Sequence, residues 1–343
     1  MIRRLINRYK RLRTEQFLTR TFYNHYAFVG MGQHSLTNLY PVLHYLGVPL
    51  KCICVTSERK ARLIERKYLQ VTATTSLDDI LYDEKIKGIF VSVSPTAHFP
   101  IASEILKSGK SLFIEKPPCQ SLEELDTLIN LQRLHDTPIA MVGLQKRYAP
   151  AMQMLRKRLS REHLVNYDLH YLTGAYSEGN AIHDLYIHPL DLVIHLFGKP
   201  EILACHHIAP ATYILMLRHP KIVGCLELST NYSWTTAEET LKVCTTTSIY
   251  RLSQMDLLTH ESIPYTIAGL PLEKLHPWKK TIEHLYARNN FTPIITNNQI
   301  LSQGYFNEIQ AFVEAVESHQ TNVDSSIETV RDTYLLIETI ESL

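Results

Sequence analysis

The sequence predicts an α/β protein of two domains. An N-terminal doubly wound parallel sheet precedes a C-terminal α+β domain with a largely antiparallel, open-faced sheet. Three observations predict this. Six short strand-like runs between Tyr26 and Val142 alternate with helical stretches, the order that builds parallel sheets. The first run enters a glycine turn that opens a helix. After Val142 strand-like runs follow one another with few helices between, as antiparallel sheets do.

The bulk numbers agree. A chain of 343 residues suits two domains at ~150 residues each. Hydrophobic content of 45% supplies a core, and a charged fraction of 20% argues against disorder. With a formal net charge of +1, no global field favours nucleic acid or an acidic partner. The six cysteines lack Cys-x-x-Cys spacing and mostly lie in apolar runs, so reduced, buried thiols in a cytoplasmic protein are expected. No run approaches the ~18 apolar residues of a membrane span.

Residues 1–23 form a basic arm. Arg3, Arg4, Arg8, Lys10, Arg11, Arg13 and Arg20 face a single acid, Glu15, over residues 1–20, and Ile2, Leu5, Tyr9 and Leu12 fall at helical spacing. No apolar core of a secretory signal follows. An accessory helix packed on the main body is the preferred reading. Weak contact with an anionic membrane surface, a partner, or service as a mitochondrial presequence are the alternatives.

The first domain is expected over 24–143. Tyr26–Val29 is a strand running into Gly30-Met-Gly32-Gln33-His34-Ser35, and Leu36, Leu39, Leu43 and Leu46 then share a helical face, kinked by Pro41. Strand, glycine turn and helix in that order are the context of a dinucleotide-binding fingerprint. Gly30 permits the turn, Gly32 admits a pyrophosphate at the helix N-terminus, and Ser35 is small enough to replace the third glycine. Strands follow at Leu50–Val55, Val71–Ala73, Gly88–Val93, Ser111–Ile114 and Ile139–Val142. The fourth closes with Ser94-Pro95, Thr96 can cap the next helix, and Ser121 with Glu124 makes a capping box.

Two strand ends carry the chemistry. After the second stand Thr56, Ser57, Glu58, Arg59 and Lys60. Hydroxyls followed by cations suit a ribose 2′-phosphate, so NADP(H) is favoured over NAD(H), with Glu58 the alternative partner for a ribose diol. After the fifth, Glu115-Lys116-Pro117-Pro118 ends the strand abruptly, and Pro117 holds Lys116 extended at the sheet end where such folds bind ligands. A solvated lysine in an exposed turn is the plainer reading of Lys116 alone.

The second domain is expected over 144–343, with the last helices able to pack back on the first. A helix covers Met152–Leu159 and another runs through His183-Asp184 and His188 to a stop at Gly198. Strand runs are read at His163–Leu172, Ile202–Ile208, Ala211–Arg218, Ile222–Thr230, Thr240–Thr247 and Tyr250–Leu258, then helices at 302–319 and 326–342. Alternation such as Cys225, Glu227, Ser229 leaves one sheet face without helices, which predicts a homodimer, or a tetramer of such dimers, closed through this sheet without the basic arm.

In order along the chain stand Gly30-x-Gly32, Ser94-Pro95-x-x-His98, Glu115-Lys116-Pro117, Arg147-Tyr148, Asp184-x-x-x-His188 and Gly304-Tyr-Phe-Asn-Glu-Ile-Gln-Ala-Phe312. Together these resemble the Gfo/Idh/MocA family of NAD(P)-dependent oxidoreductases over about residues 24–342. The resemblance implies a dehydrogenase or reductase acting on CH–OH, C=O or C=N groups of small polar substrates such as sugars, cyclitols or sugar nucleotides. It implies that Lys116 and His188 carry the chemistry with Asp184 in support. It also implies that Gly30, Gly32, Gln33, His34, Thr56, Ser57, Arg59, Ser94, Pro95, His98, Glu115 and Lys116 line the cofactor. Lys116, Arg147, Tyr148, Asp184, Tyr186 and His188 would face the substrate. Asp184, four residues before His188, would share its helical face and orient the ring. Two departures stand out: Tyr186 where the family often has Gly, and Gln145-Lys146 where an Asn often precedes the Arg.

Two competing readings remain. His183, Asp184, His188 and His195 could hold a metal, but no zinc-type spacing is present, and no metal is expected. A non-catalytic NAD(P)-binding sensor or scaffold on the same fold would keep the glycines and tolerate loss of the lysine and histidine, both of which stand here.

Overall fold

Apolar runs buried on both faces build the first sheet. Its strands are β1 (His25–Val29), β2 (Leu50–Cys54), β3 (Thr72–Thr74), β4 (Ile86–Val91), β5 (Ser111–Glu115) and β6 (Ala140–Gly143). The computed structural model describes residues 2–19, 21–274, 282–288 and 298–343, with side chains of residues 2–12 in the first stretch. All five pairings are parallel and the spatial order is β3-β2-β1-β4-β5-β6. The order reverses between β1 and β4, so their carboxyl ends frame a crevice.

Helices α2 (Tyr40–Leu46), α3 (Glu58–Lys67), α4 (Asp78–Leu81), α5 (Pro95–Lys107) and α6 (Leu122–Leu134) connect these strands. Pro41 does not sit inside α2 as expected but in its first turn. Its missing N–H opens the preceding turn, Ser35–Leu39, into a π-helix in which the Tyr40 N–H reaches Ser35. Ser121 caps α6 as expected, accepting from the Glu124 N–H at 3.2 Å, while the Glu124 carboxylate accepts from the Gln120 N–H at 2.7 Å. Thr96 is not a cap. Helix α5 starts earlier, with Ser94 as N-cap and Pro95 in the first turn, where proline loses no helical bond.

The second sheet has the order β16-β13-β12-β11-β7-β10-β9-β8. Its strands are β7 (Leu164–Leu172), β8 (Glu201–Ile208), β9 (Thr212–His219), β10 (Ile222–Ser229), β11 (Glu238–Thr245), β12 (Ser248–Ser253), β13 (Leu257–Ser262) and β16 (Ile282–Ala287); β14 (Thr266–Ile267) and β15 (Leu270–Pro271) form a separate ribbon. Only β7 and β10 pair in parallel; the other pairings are antiparallel. The single strand expected over Tyr250–Leu258 is two, because Gln254 and Met255 take φ of 51° and 57° and turn the chain back. One face packs α7 (Pro150–Leu159) and α8 (Ile187–Phe197) through Leu217, Leu226, Leu228, Leu241 and Val243. The other exposes Val165, Ile214, Met216 and Val223.

Helix α9 (Gln299–Ser302) leads into α10 (Tyr305–Ser318), and α11 (Arg331–Glu341) ends the fold. Helix α10 lies on the first sheet, with Phe312 edge-on to Phe90 at 5.0 Å and Phe113 at 5.7 Å. Such aromatic contacts add to the area they bury. The N-terminal helix α1 (Ile2–Thr19) departs from the preferred expectation. Its apolar residues Ile2, Leu5, Ile6, Tyr9 and Leu12 are exposed rather than packed on the body. Three cysteines (Cys52, Cys54, Cys119) are buried as expected, but Cys225 sits on an outward position of β10 and is exposed. No described helix is long and apolar enough to cross a membrane.

Candidate active site

The end of β1 builds a cradle from backbone alone. Gly30 has φ +94°, and a Cβ there would lie 2.1 Å from the Ser92 carbonyl oxygen, so only glycine fits between β1 and β4. A Cβ on Gly32 would meet nothing within 4 Å, leaving its backbone open to the crevice at the first helical turn. Ser35 is buried, and its hydroxyl donates to that of Ser92 at 3.0 Å, which locks this turn to the end of β4. Open backbone beside a helix N-terminus fits a pyrophosphate, so the residues present suit a dinucleotide. Gln33 is exposed beside it, and its carbonyl accepts from the Thr37 hydroxyl at 2.9 Å.

Around this cradle the predicted residues separate. Thr56, Arg59, Ser94 and Pro95 are exposed at the carboxyl ends of β2 and β4. Ser57 caps α3, accepting from the Lys60 N–H at 3.3 Å, and Glu58 accepts from the Thr75 hydroxyl at 2.9 Å. His34 brings Nε2 to 3.3 Å from Oε1 of the buried Glu115. His98 is turned into the body of the protein. Its ring is buried, takes the Val93 N–H at Nε2 (3.4 Å) and donates from Nδ1 to the Pro117 carbonyl (2.6 Å). Burial pushes its pKa down. His98 therefore ties the β4 loop to the Glu-Lys-Pro turn and sets where Lys116 points.

Lys116 reaches across to the second domain, where its Nζ donates to the Asp184 carbonyl at 2.6 Å. Burial lowers its pKa, against the pull of Glu115 and Asp184. His188, at the start of α8, is buried with Nδ1 unpartnered. Its pKa is pushed well below the ordinary histidine value, first by burial, then by Lys116, Lys146 and His34. The imidazole is neutral at pH 7 and faces cations. Asp184 does not orient it. Residues Ile182–Tyr186 form a π-helical turn, wider than an α-turn, and the Asp184 carboxylate turns to accept from the Tyr176 hydroxyl at 3.1 Å.

Three residues expected to face the substrate are buried and partnered within the protein. Arg147 is buried in a two-pronged ion pair with Asp191 (2.7 and 2.5 Å), and its remaining nitrogen donates to the Asp324 carbonyl and the Thr329 hydroxyl. Tyr148 is buried against Met141 and Ser325. Tyr186 points away from the crevice and donates to the Ala211 carbonyl at 2.5 Å, with its ring beside Tyr171 and Tyr213. The bulk of a tyrosine at this position fills the packing between α8 and the second sheet.

The residue that sequence reasoning missed is Lys146. It is buried, pairs with Glu239 at 2.5 Å and lies 4.8 Å from the Tyr171 ring centroid. Burial pulls its pKa down, but Glu239 and Tyr171 outweigh this and hold it above the ordinary lysine value. Its place beside Arg147 in the junction sequence was the available signal. Glu308 was also missed: burial, then the charge of Glu115, raise its pKa well above the ordinary carboxylate value. A carboxylate on the Ile309–Phe312 face of α10 was the clue. Among the described residues no cluster of three or more His, Cys, Asp or Glu side chains could hold a metal. His183 pairs with Glu341 at 3.2 Å, and burial, with Arg147 and Arg156, lowers His195 to about 4.

A glycine cradle on a doubly wound sheet, with Lys116 at the end of β5 and a buried, neutral His188 on α8, defines a protein of the dinucleotide-binding α/β class. Residues 24–144 are similar to the NAD-binding Rossmann fold of the Gfo/Idh/MocA oxidoreductase family. The uncharacterized oxidoreductase YhhX of Escherichia coli is 26% identical over 145 residues, 39% of this chain and 42% of that protein. Such matches span about two-fifths of the first curated relatives' length. In shape the chain is similar to a dehydrogenase from Chromobacterium violaceum (TM-score 0.79, 19% identity, covering 94% and 95% of the two chains). A levoglucosan dehydrogenase in complex with NADH and levoglucosan is similar as well (TM-score 0.76, 15% identity, 93% and 96% covered).

The Arg147 geometry makes a prediction. Arg147→Ala and Asp191→Ala each leave a buried partner charge uncompensated and should destabilise the fold by about 3–5 kcal/mol in chemical denaturation. Wild-type stability with weakened substrate binding would return Arg147 to the cleft.

Proposed function

We propose that the protein is an NAD(P)-dependent oxidoreductase moving a hydride between nicotinamide and a hydroxyl- or carbonyl-bearing carbon. Its substrate is a small polar molecule of the sugar, cyclitol or sugar-nucleotide kind. The observation that carries this reading is the 2.6 Å contact from Lys116 at the end of β5 to the Asp184 carbonyl, which joins the cradle domain to the segment leading into His188. When bound, the nicotinamide supplies or takes up the hydride. Gly30 and Gly32 would hold the pyrophosphate, with Ser94 and Pro95 along the crevice. His188, neutral and with its proton affinity depressed, accepts the substrate hydroxyl proton in oxidation and returns it in reduction. Lys116 stabilises the negative charge that develops on the same oxygen. Burial strengthens that interaction because water is excluded. The levoglucosan dehydrogenase is in keeping with a sugar-like substrate.

Lys116→Met and His188→Ala should each lower kcat by ~10²-fold or more while the fold and cofactor affinity persist. The pH profile adds a check. Because the His188 pKa lies well below the ordinary histidine value, protonation disables the base only at acid pH. Oxidation by the wild type should not decline as pH falls from 8 to ~6.5. Full turnover in both variants would remove these residues from the mechanism.

For the cofactor we infer NADP(H) over NAD(H). Thr56 and Arg59 are exposed at the end of β2, and Glu58, the residue suited to a ribose diol, is turned to Thr75. NADPH should bind more tightly than NADH, and Arg59→Ala should narrow the difference in a fluorescence titration. Equal affinities in the unmodified protein would overturn this.

We further infer a homodimer, or a tetramer of dimers, through the uncovered face of the second sheet. Val165, Ile214, Met216 and Val223 are exposed there, and a two-fold axis would cover both copies at once. Sedimentation at micromolar concentration should give at least twice the chain mass; a clean monomer refutes it.

A further inference from the structure

Helix α1 lies outside every element of the site and outside the family match. At ~100° per residue, Ile2, Leu5, Ile6, Tyr9 and Leu12 fall within an arc of about 120°, while Arg3, Arg4, Arg8, Lys10 and Arg11 fall within about 160° on the opposite side. No acid occurs over residues 2–12. The apolar arc is exposed, with Ile2 at 74%, Leu5 at 59% and Tyr9 at 65% of full exposure. The stripe has the width of a core-facing helix and is exposed among the described residues.

We propose that α1 is a surface anchor that lays the protein on an anionic lipid bilayer. The charge pattern selects this occupant. A protein partner would need an apolar trough bordered on both sides by acids to match the two arcs. A bilayer with anionic headgroups meets both, since acyl chains take the apolar stripe and headgroups pair with the flanking arginines. The mode is interfacial, because residues 2–12 carry a charged face and no described helix is long and apolar enough to span. The arm would bring the oxidoreductase body to a membrane surface without entering its active site.

The test uses the full chain and vesicles of phosphatidylcholine, with or without about a third phosphatidylserine, in a co-sedimentation assay. Binding is expected to the phosphatidylserine vesicles alone and to fall as salt is raised through the physiological range. Leu5→Glu with Tyr9→Glu, and separately Arg4→Glu with Arg8→Glu, should each weaken it roughly tenfold or more. Both variants should keep the far-ultraviolet circular dichroism and cofactor affinity of the unmodified body. No binding to phosphatidylserine vesicles at low salt, or equal binding by all three proteins, overturns the proposal. A change of oligomeric state in either variant without vesicle binding by the wild type would assign the stripe to a protein surface and overturn it too.

Discussion

The buried pair of Arg147 and Asp191 is the constraint on which the site depends. Arg147 sits where the first domain ends, Asp191 one turn beyond His188 on α8, and Asp324 and Thr329 on the returning C-terminal segment. One guanidinium thus fixes three stretches of chain distant in sequence, and Thr333 on α11 adds a fourth by donating to Asp191 at 3.1 Å. A planar fork with five donors can do this; a lysine could not satisfy the same set. With α8 held in this way, the end that carries His188 is fixed against the carboxyl end of the first sheet.

The opposing side of the cleft is fixed by a comparable economy. His98 is buried between the Val93 N–H and the Pro117 carbonyl, so the turn that presents Lys116 hangs from the β4 loop as well as from β5. Pro117 and Pro118 remove two backbone donors, so the turn is held from outside by His98. The lysine that results is partly desolvated and finds its partner in a backbone carbonyl rather than a carboxylate. A carbonyl holds the ammonium in place without neutralising it. The charge therefore remains available to an oxygen entering the cleft.

Much of this was legible in the sequence. The glycine turn at Gly30, the six-strand alternation and the strand-ending Glu115-Lys116-Pro117 are local signals, because each depends on residues within one turn or strand. What failed to be legible was where long side chains ended. Arg147, Tyr148 and Tyr186 are residue types that serve clefts and cores equally well, and only the tertiary packing of α8 and the segment around Asp324 decided for the core. Asp184 was misread for a different reason. Four-residue spacing places two side chains on one face only in an α-helix, and a π-helical turn breaks that rule without a composition signature. Lys146 was hidden because its partner Glu239 lies 93 positions away.

The electrostatics of the cleft make one further point about proton handling. Burial, then Lys116, Lys146 and His34, depress the proton affinity of His188, while Glu239 pairs with Lys146 and Glu115 pulls on Lys116. The imidazole is thus a weak base in the free protein, held so by positive charge and burial together. Any anion entering beside these cations screens them and raises the proton affinity of His188. The proton affinity of His188 is thus set by burial and by the charges around it, with no movement of the ring required.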